Sequence, residues 1–148
     1  MIRYLVEQGG DIDRWFGSGG SPANSANWQA DAERLKALLE AGADPHRGSP
    51  RSESPAYGRW DHGGKREAEV VEMIDMLVHA GVDPNVAAAG GTTPLHIAAT
   101  CNTEAVIRAL LDVGADPAAI NDEGATALAI ARGHERGSEI ESLLRSMA

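Results

Sequence analysis

Metal ligation and nucleophilic catalysis both need histidine, cysteine or carboxylate side chains held at short range, so these are the first residues to place. His46, His62, His79, His96 and His134 are scattered, and no spacing sets two of them on one helical face at metal-ligand distance; no metal site is expected. Cys101 would need a neighbouring base to act as a nucleophile, and the sequence supplies none that can be located, so it reads as a small packing residue. As the only cysteine it also excludes an internal disulfide. The Gly63-Gly64 and Gly90-Gly91 pairs lack the Gly-Lys-Ser/Thr continuation of a phosphate loop. Aspartates and glutamates are numerous, but no pair recurs in an apolar setting that would desolvate it, and they read as solvated faces. The expectation is a chain without catalytic residues and without a cofactor.

Charge narrows the partners. With 13 basic and 22 acidic residues the formal charge is −9, which opposes nucleic acid and anionic membranes and favours a protein partner with a basic surface. No apolar run approaches the roughly 20 residues of a spanning helix, and Met1 leads into an amphipathic segment without a signal-peptide pattern, so a cytoplasmic location is expected.

The elements that position these residues are clearest from Gly91 to Pro117. Gly91-Thr92-Thr93-Pro94-Leu95-His96-Ile97-Ala98-Ala99 opens a helix with Thr93 as a candidate N-cap and Pro94 at the first helical position, where its missing N–H costs nothing. A second helical pattern runs from Glu104 to Leu111, and Gly114 suits the left-handed conformation that ends a helix. The unit reads as helix, turn, helix, loop. It resembles an ankyrin repeat, whose Thr-Pro-Leu-His-x-Ala signature and period of about 33 residues it carries.

Self-similarity extends this unit over the whole chain. The helix-ending glycine recurs at Gly9, Gly42, Gly81 and Gly114, with Asp11, Asp44, Asp83 and Asp116 two positions later. The Thr-Pro position recurs as Ser21-Pro22, Ser54-Pro55, Thr93-Pro94 and Thr126-Ala127, and Ile2, Leu35, Ile74, Ile107 and Ile140 are equivalent on the second helix. The resemblance thus implies an all-α solenoid of stacked helix-turn-helix units with projecting hairpin loops, forming a single domain over residues 1–148. Residues 1–13 supply a second helix only, 14–46 and 86–118 are regular repeats, and 119–148 form a C-terminal cap. Residues 47–85 carry six extra residues within His62–Glu69, between the two helices, and are expected to add a loop and an extra helical turn. Ser138 with Glu141 forms a capping-box pattern at the start of the last helix. The mid-repeat start suggests either a degenerate N-terminal cap or a fragment of a longer array.

Two first helices depart from the pattern. Ala23 and Asn24 stand where leucine and histidine are expected, and Ala56 and Arg59 replace the equivalents of Leu95 and Ala98, so these units should be the weak ones. The resemblance gives His96 a structural role, hydrogen-bonding loop backbone to hold the hairpin, within the Thr93, Pro94, Leu95, His96 motif.

All three tryptophans, the one phenylalanine and Tyr57 lie between residues 15 and 60. Ankyrin arrays bind partners with hairpin tips and first helices, on the concave side of the stack. This places the candidate protein-binding residues at Trp15, Phe16, Trp28 and Gln29 from one unit and at Arg51, Glu53, Tyr57, Asp61 and His62 from the next. A second reading is that the rings fill gaps left by Ala23 and Ala56. The function implied is a non-catalytic protein-interaction module, or else a regulatory segment of a larger protein, possibly an enzyme.

Overall fold

A computed structural model describes residues 7, 9–14, 20–47, 67–101, 104–133 and 137–147 of the 148. Helix α1 (Pro22–Trp28) starts because Ser21 is extended and its hydroxyl accepts the Asn24 amide at 3.2 Å, while Pro22 presets the first turn. Helix α2 (Ala32–Glu40) is capped by the Asp31 carboxylate, which accepts the Arg34 amide at 3.0 Å. Helix α3 (Glu67–His79) has 13 residues against nine in each of α2 and α5 (Glu104–Asp112), one turn more at its N-terminal end. Between them in sequence and pattern stand a short 3₁₀ turn (Ala89–Gly91) and α4 (Pro94–Cys101), followed after α5 by α6 (Ala127–Ala131) and α7 (Gly137–Met147).

Each of α2, α3 and α5 ends in the same way. Gly42, Gly81 and Gly114 take φ of +92°, +92° and +97°, a region that only glycine enters cheaply. The following amide then reaches back five residues, Ala43 to Leu38, Val82 to Leu77 and Ala115 to Leu110, closing the orphan carbonyls of the last turn. The turn from α1 into α2 makes the same closure with Ala30 at φ +49°, where a Cβ is disfavoured.

These helices form two layers. Within a unit α1 packs on α2, α4 on α5 and α6 on α7. Across units α4 packs on α6 in one layer, while α2, α3, α5 and α7 pack in succession in the other. The core runs along the seam: Leu35, Ile74, Ile107 and Ile140, equivalent in the repeat, are all buried, as are Leu38, Leu77, Leu110 and Leu143 three residues on. Burying each such side chain contributes about 1.5–3 kcal/mol, so the stack is held by many equal increments rather than by one centre.

One expectation is overturned, and three others fall wholly or mostly on residues that are not described. Apart from Glu7, the helix expected at Met1–Gln8 lies outside the described residues, as do the first helix at Pro55–Asp61 and most of the inserted stretch. The last helix begins at Gly137, so Ser138 is inside it and does not cap it. Glu141 is instead drawn sideways: its carboxylate accepts from Arg132 Nη2 at 2.9 Å, joining α6 to α7, and pairs with Arg145 at 2.6 Å. Two guanidinium partners outweigh a single backbone amide.

Candidate interaction surface

The loops between units are built alike. Asp11, Asp44, Asp83 and Asp116 each accept the amide two residues on, at 2.8–3.0 Å, which folds the chain into the same tight turn at all four positions. Adjacent loops are then tied together. Asn85 Nδ2 donates to Gly114 O at 3.0 Å while its Oδ1 accepts the Asp116 amide at 2.6 Å, and Asp13 Oδ1 accepts the Asp44 amide at 3.0 Å in the equivalent place. His46 holds the same position in the intervening unit and makes no such side-chain bond among the described residues.

At the hairpin tips, Ala88 N donates to Thr92 O at 2.8 Å and Asn121 N to Ala125 O at 3.0 Å. One hairpin touches the next where Asp122 N donates to Gly90 O at 3.0 Å. Gly91, at φ +66°, permits that approach, because a Cβ there would lie 2.7 Å from the Asp122 carboxylate and 3.0 Å from its amide nitrogen.

Beneath the tips the Thr93–His96 motif is a hydrogen-bonded clip. His96 Nε2 lies 2.9 Å from Ala125 O, and since a carbonyl only accepts, Nε2 carries the proton. Nδ1 is therefore the acceptor, taking the Thr93 amide at 3.2 Å and the Thr93 hydroxyl at 2.7 Å. A hydroxyl beside an imidazole is the geometry of an activated nucleophile, but Thr93 and His96 are both buried, His96 to 1% exposure, and every ring nitrogen is committed to the fold. Leu95 is buried beside them, and Pro94 starts the helix. Among the described residues no group of three His, Cys, Asp or Glu side chains could hold a metal ion, and no helix is long and apolar enough to cross a membrane.

Of the residues expected to face a partner, the structure describes two. Trp28 is 51% exposed at the end of α1, and Gln29 is exposed beside it, its amide donating to Ser25 Oγ at 3.0 Å. Trp15, Phe16, Arg51, Glu53, Tyr57, Asp61 and His62 lie outside the described residues. A residue missed in the sequence is Ile120, 64% exposed at the last hairpin tip, next to exposed Asp122 and Glu123. Its signal was available: stepping back through the repeats, Ile120 is equivalent to Ala87, Gly48 and Trp15. On α7 the hydrogen bond from Arg132, opposed by partial burial and aided by the charges of Arg132 and Arg145, holds the Glu141 carboxyl below its ordinary value.

Helical pairs closed by the same glycine, the histidine clip and the tied hairpins coincide over residues 66–146 with a match to the family model for ankyrin repeats in three copies. The chain belongs to the ankyrin repeat family. Over 99 residues, 67% of the chain, it is 32% identical to the E3 ubiquitin-protein ligase KEG of Arabidopsis thaliana. Over 81 residues, 53% of the chain, it is 31% identical to the inactive serine/threonine-protein kinase TEX14 of Bos taurus. These stretches span only 6% and 5% of the two relatives' lengths. Ankyrin repeats are generally protein-interaction modules and typically non-catalytic. The α1–α2 unit precedes the matched residues and keeps the ankyrin capping and closing glycine.

Proposed function

We propose that this ankyrin stack is a non-catalytic interaction module that binds a partner protein, with a basic surface, through its hairpin tips and first helices. The observation that carries the reading is an exposed tryptophan: Trp28 is 51% exposed at the end of a first helix instead of filling the space beside Ala23 and Ala26, both of which are buried. Large aromatic side chains give much contact area with few rotors to immobilise. Ile120, exposed at the tip position that Trp15 occupies in the repeat, supports a contact role for Trp15, and the formal charge of −9 supports a basic partner. A cytoplasmic setting belongs to the same reading.

The test is the Trp15→Ala, Trp28→Ala double variant. Its melting temperature should stay near that of the wild type, while affinity for a partner identified by capture and mass spectrometry falls by about 2 kcal/mol or more. A double variant that unfolds assigns the rings to the core, and one that stays folded with full affinity takes them out of the interface; either outcome removes the reading.

A second reading, a regulatory repeat segment of a larger protein that is possibly an enzyme, is supported by the small share of KEG and TEX14 that the chain spans. Sequencing the full-length transcript separates the two: an open reading frame continuing into another domain supports the second.

A further inference from the structure

The second-helix layer carries a feature that binding through tips and first helices does not use. Between α2 and α3 lies an open groove of about 410 Å³, floored mainly by Leu39 and Met76, both half-buried. Its rim is acceptor-rich. Glu40 and Asp75 are exposed, and among the described residues neither carboxylate has a cationic partner. His79 Nδ1 lies 2.8 Å from Asp75 O; a carbonyl only accepts, so Nδ1 donates and Nε2 of the neutral ring is left as a further acceptor at the rim. Among the described residues Lys36 is the one lysine or arginine at the rim, and its aliphatic stem adds to the apolar lining.

The neighbouring seam shows that this chemistry is not a general property of the stack. Between α3 and α5 the position of Met76 is held by Ala109, which is buried, and that of Asp75 by Arg108, whose guanidinium is tied to Glu104 at 3.0 Å through Nε. An apolar floor flanked by two free carboxylates and an imidazole acceptor therefore occurs on α2–α3, whereas one unit later a buried alanine stands for the floor methionine and an ion-paired arginine for the carboxylate.

The geometry points to this groove as a second docking site, for an amphipathic helix of another protein that sets an aliphatic side chain on Leu39 and Met76 and an arginine against Glu40 and Asp75. Arginine fits because its planar guanidinium carries five donors and is weakly hydrated, so one side chain can serve both carboxylates and the His79 ring. Methionine in the floor suits such a site, being unbranched and able to adapt to the side chain it meets. The surface lies on the other layer from Trp28, so both sites can be occupied at once.

The probe is a fluorescein-labelled amphipathic peptide of about four helical turns, with leucines on one face and arginines beside them, alongside a matched peptide carrying glutamate in place of arginine. Fluorescence anisotropy on the full chain should show saturable binding of the arginine peptide and none of the glutamate peptide. Asp75→Lys, at an exposed position that leaves the fold intact, should weaken binding by about tenfold or more, Met76→Glu should do the same, and Trp28→Ala should leave it unchanged. Loss on Trp28→Ala with retention on Asp75→Lys would overturn the proposal, as would equal binding of both peptides. Sedimentation velocity covers the remaining occupant: a wild-type dimer that Asp75→Lys dissociates would assign the groove to a second copy of the chain and overturn the proposal equally.

Discussion

Asn85→Ala tests how the repeats are held to one another. The Asn85 amide makes two bonds to the next unit, to Gly114 O at 3.0 Å and from the Asp116 amide at 2.6 Å, across 29 and 31 residues of chain. A net value of about 0.5–1.5 kcal/mol per hydrogen bond gives about 1–3 kcal/mol for the pair. Asn85 is half-buried, so water can reach the freed groups, and the loss should fall at about 1–2 kcal/mol. The assay is equilibrium urea denaturation followed by circular dichroism, comparing midpoint and slope. Asn85→Asp keeps the acceptor that Asp13 shows to be sufficient for the same amide in another unit, and should lose about half as much. His46→Asn should add the bond missing from the intervening unit and raise stability by about 1 kcal/mol. If Asn85→Ala stays within about 0.3 kcal/mol of the wild type, the loop ties contribute nothing and the reasoning fails.

Other perturbations separate other causes. Ile107→Ala, in a fully buried seam position, should cost about 2–5 kcal/mol by the same denaturation assay. Gly91→Ala should be more destabilising than Gly114→Ala, because a Cβ at Gly114 meets nothing within 4 Å whereas at Gly91 it meets Asp122; a thermal scan of the two variants decides it. Glu141 has its folded-state proton affinity lowered, so its contribution is present above the ordinary value of 4.5 and is lost as pH falls through the lower folded value. The melting-temperature gap between wild type and Glu141→Gln should therefore shrink on acidification from neutral pH. Hydrogen exchange should show faster opening in residues 21–47 than in 93–130, since Asn24 Oδ1 and both polar atoms of the Asn27 amide are buried without a partner among the described residues. Uniform protection would remove that expectation.

What could be read from the sequence was whatever repeats. The buried seam through Leu35, Ile74 and Ile107, the helix-ending glycines and the prolines at helix starts are local signals copied several times, and copying exposes them. The capping-box reading at Ser138 failed because Glu141 had a better partner in Arg132, nine residues away and on another helix. The left-handed Ala30 was illegible because alanine carries no sign of that conformation. Asn85 was passed over because its partners are backbone atoms of the next unit, which have no letter in the sequence. Ile120 was missed because its equivalents, Ala87, Gly48 and Trp15, share no chemical type although they share a place.

The spacing of the inter-unit ties sets how the chain reaches this structure. Among the described residues no hydrogen bond joins positions more than 34 apart, the longest running from Arg47 to Asp13. The loops that these bonds close are thus no longer than about one repeat, and their entropic cost does not grow as further repeats are added. The chain should begin in its best-packed unit, α4 with α5, and extend outward one neighbour at a time like a zip. Pulled from its two ends it should come apart the same way, as a staircase of short extensions instead of a single rupture.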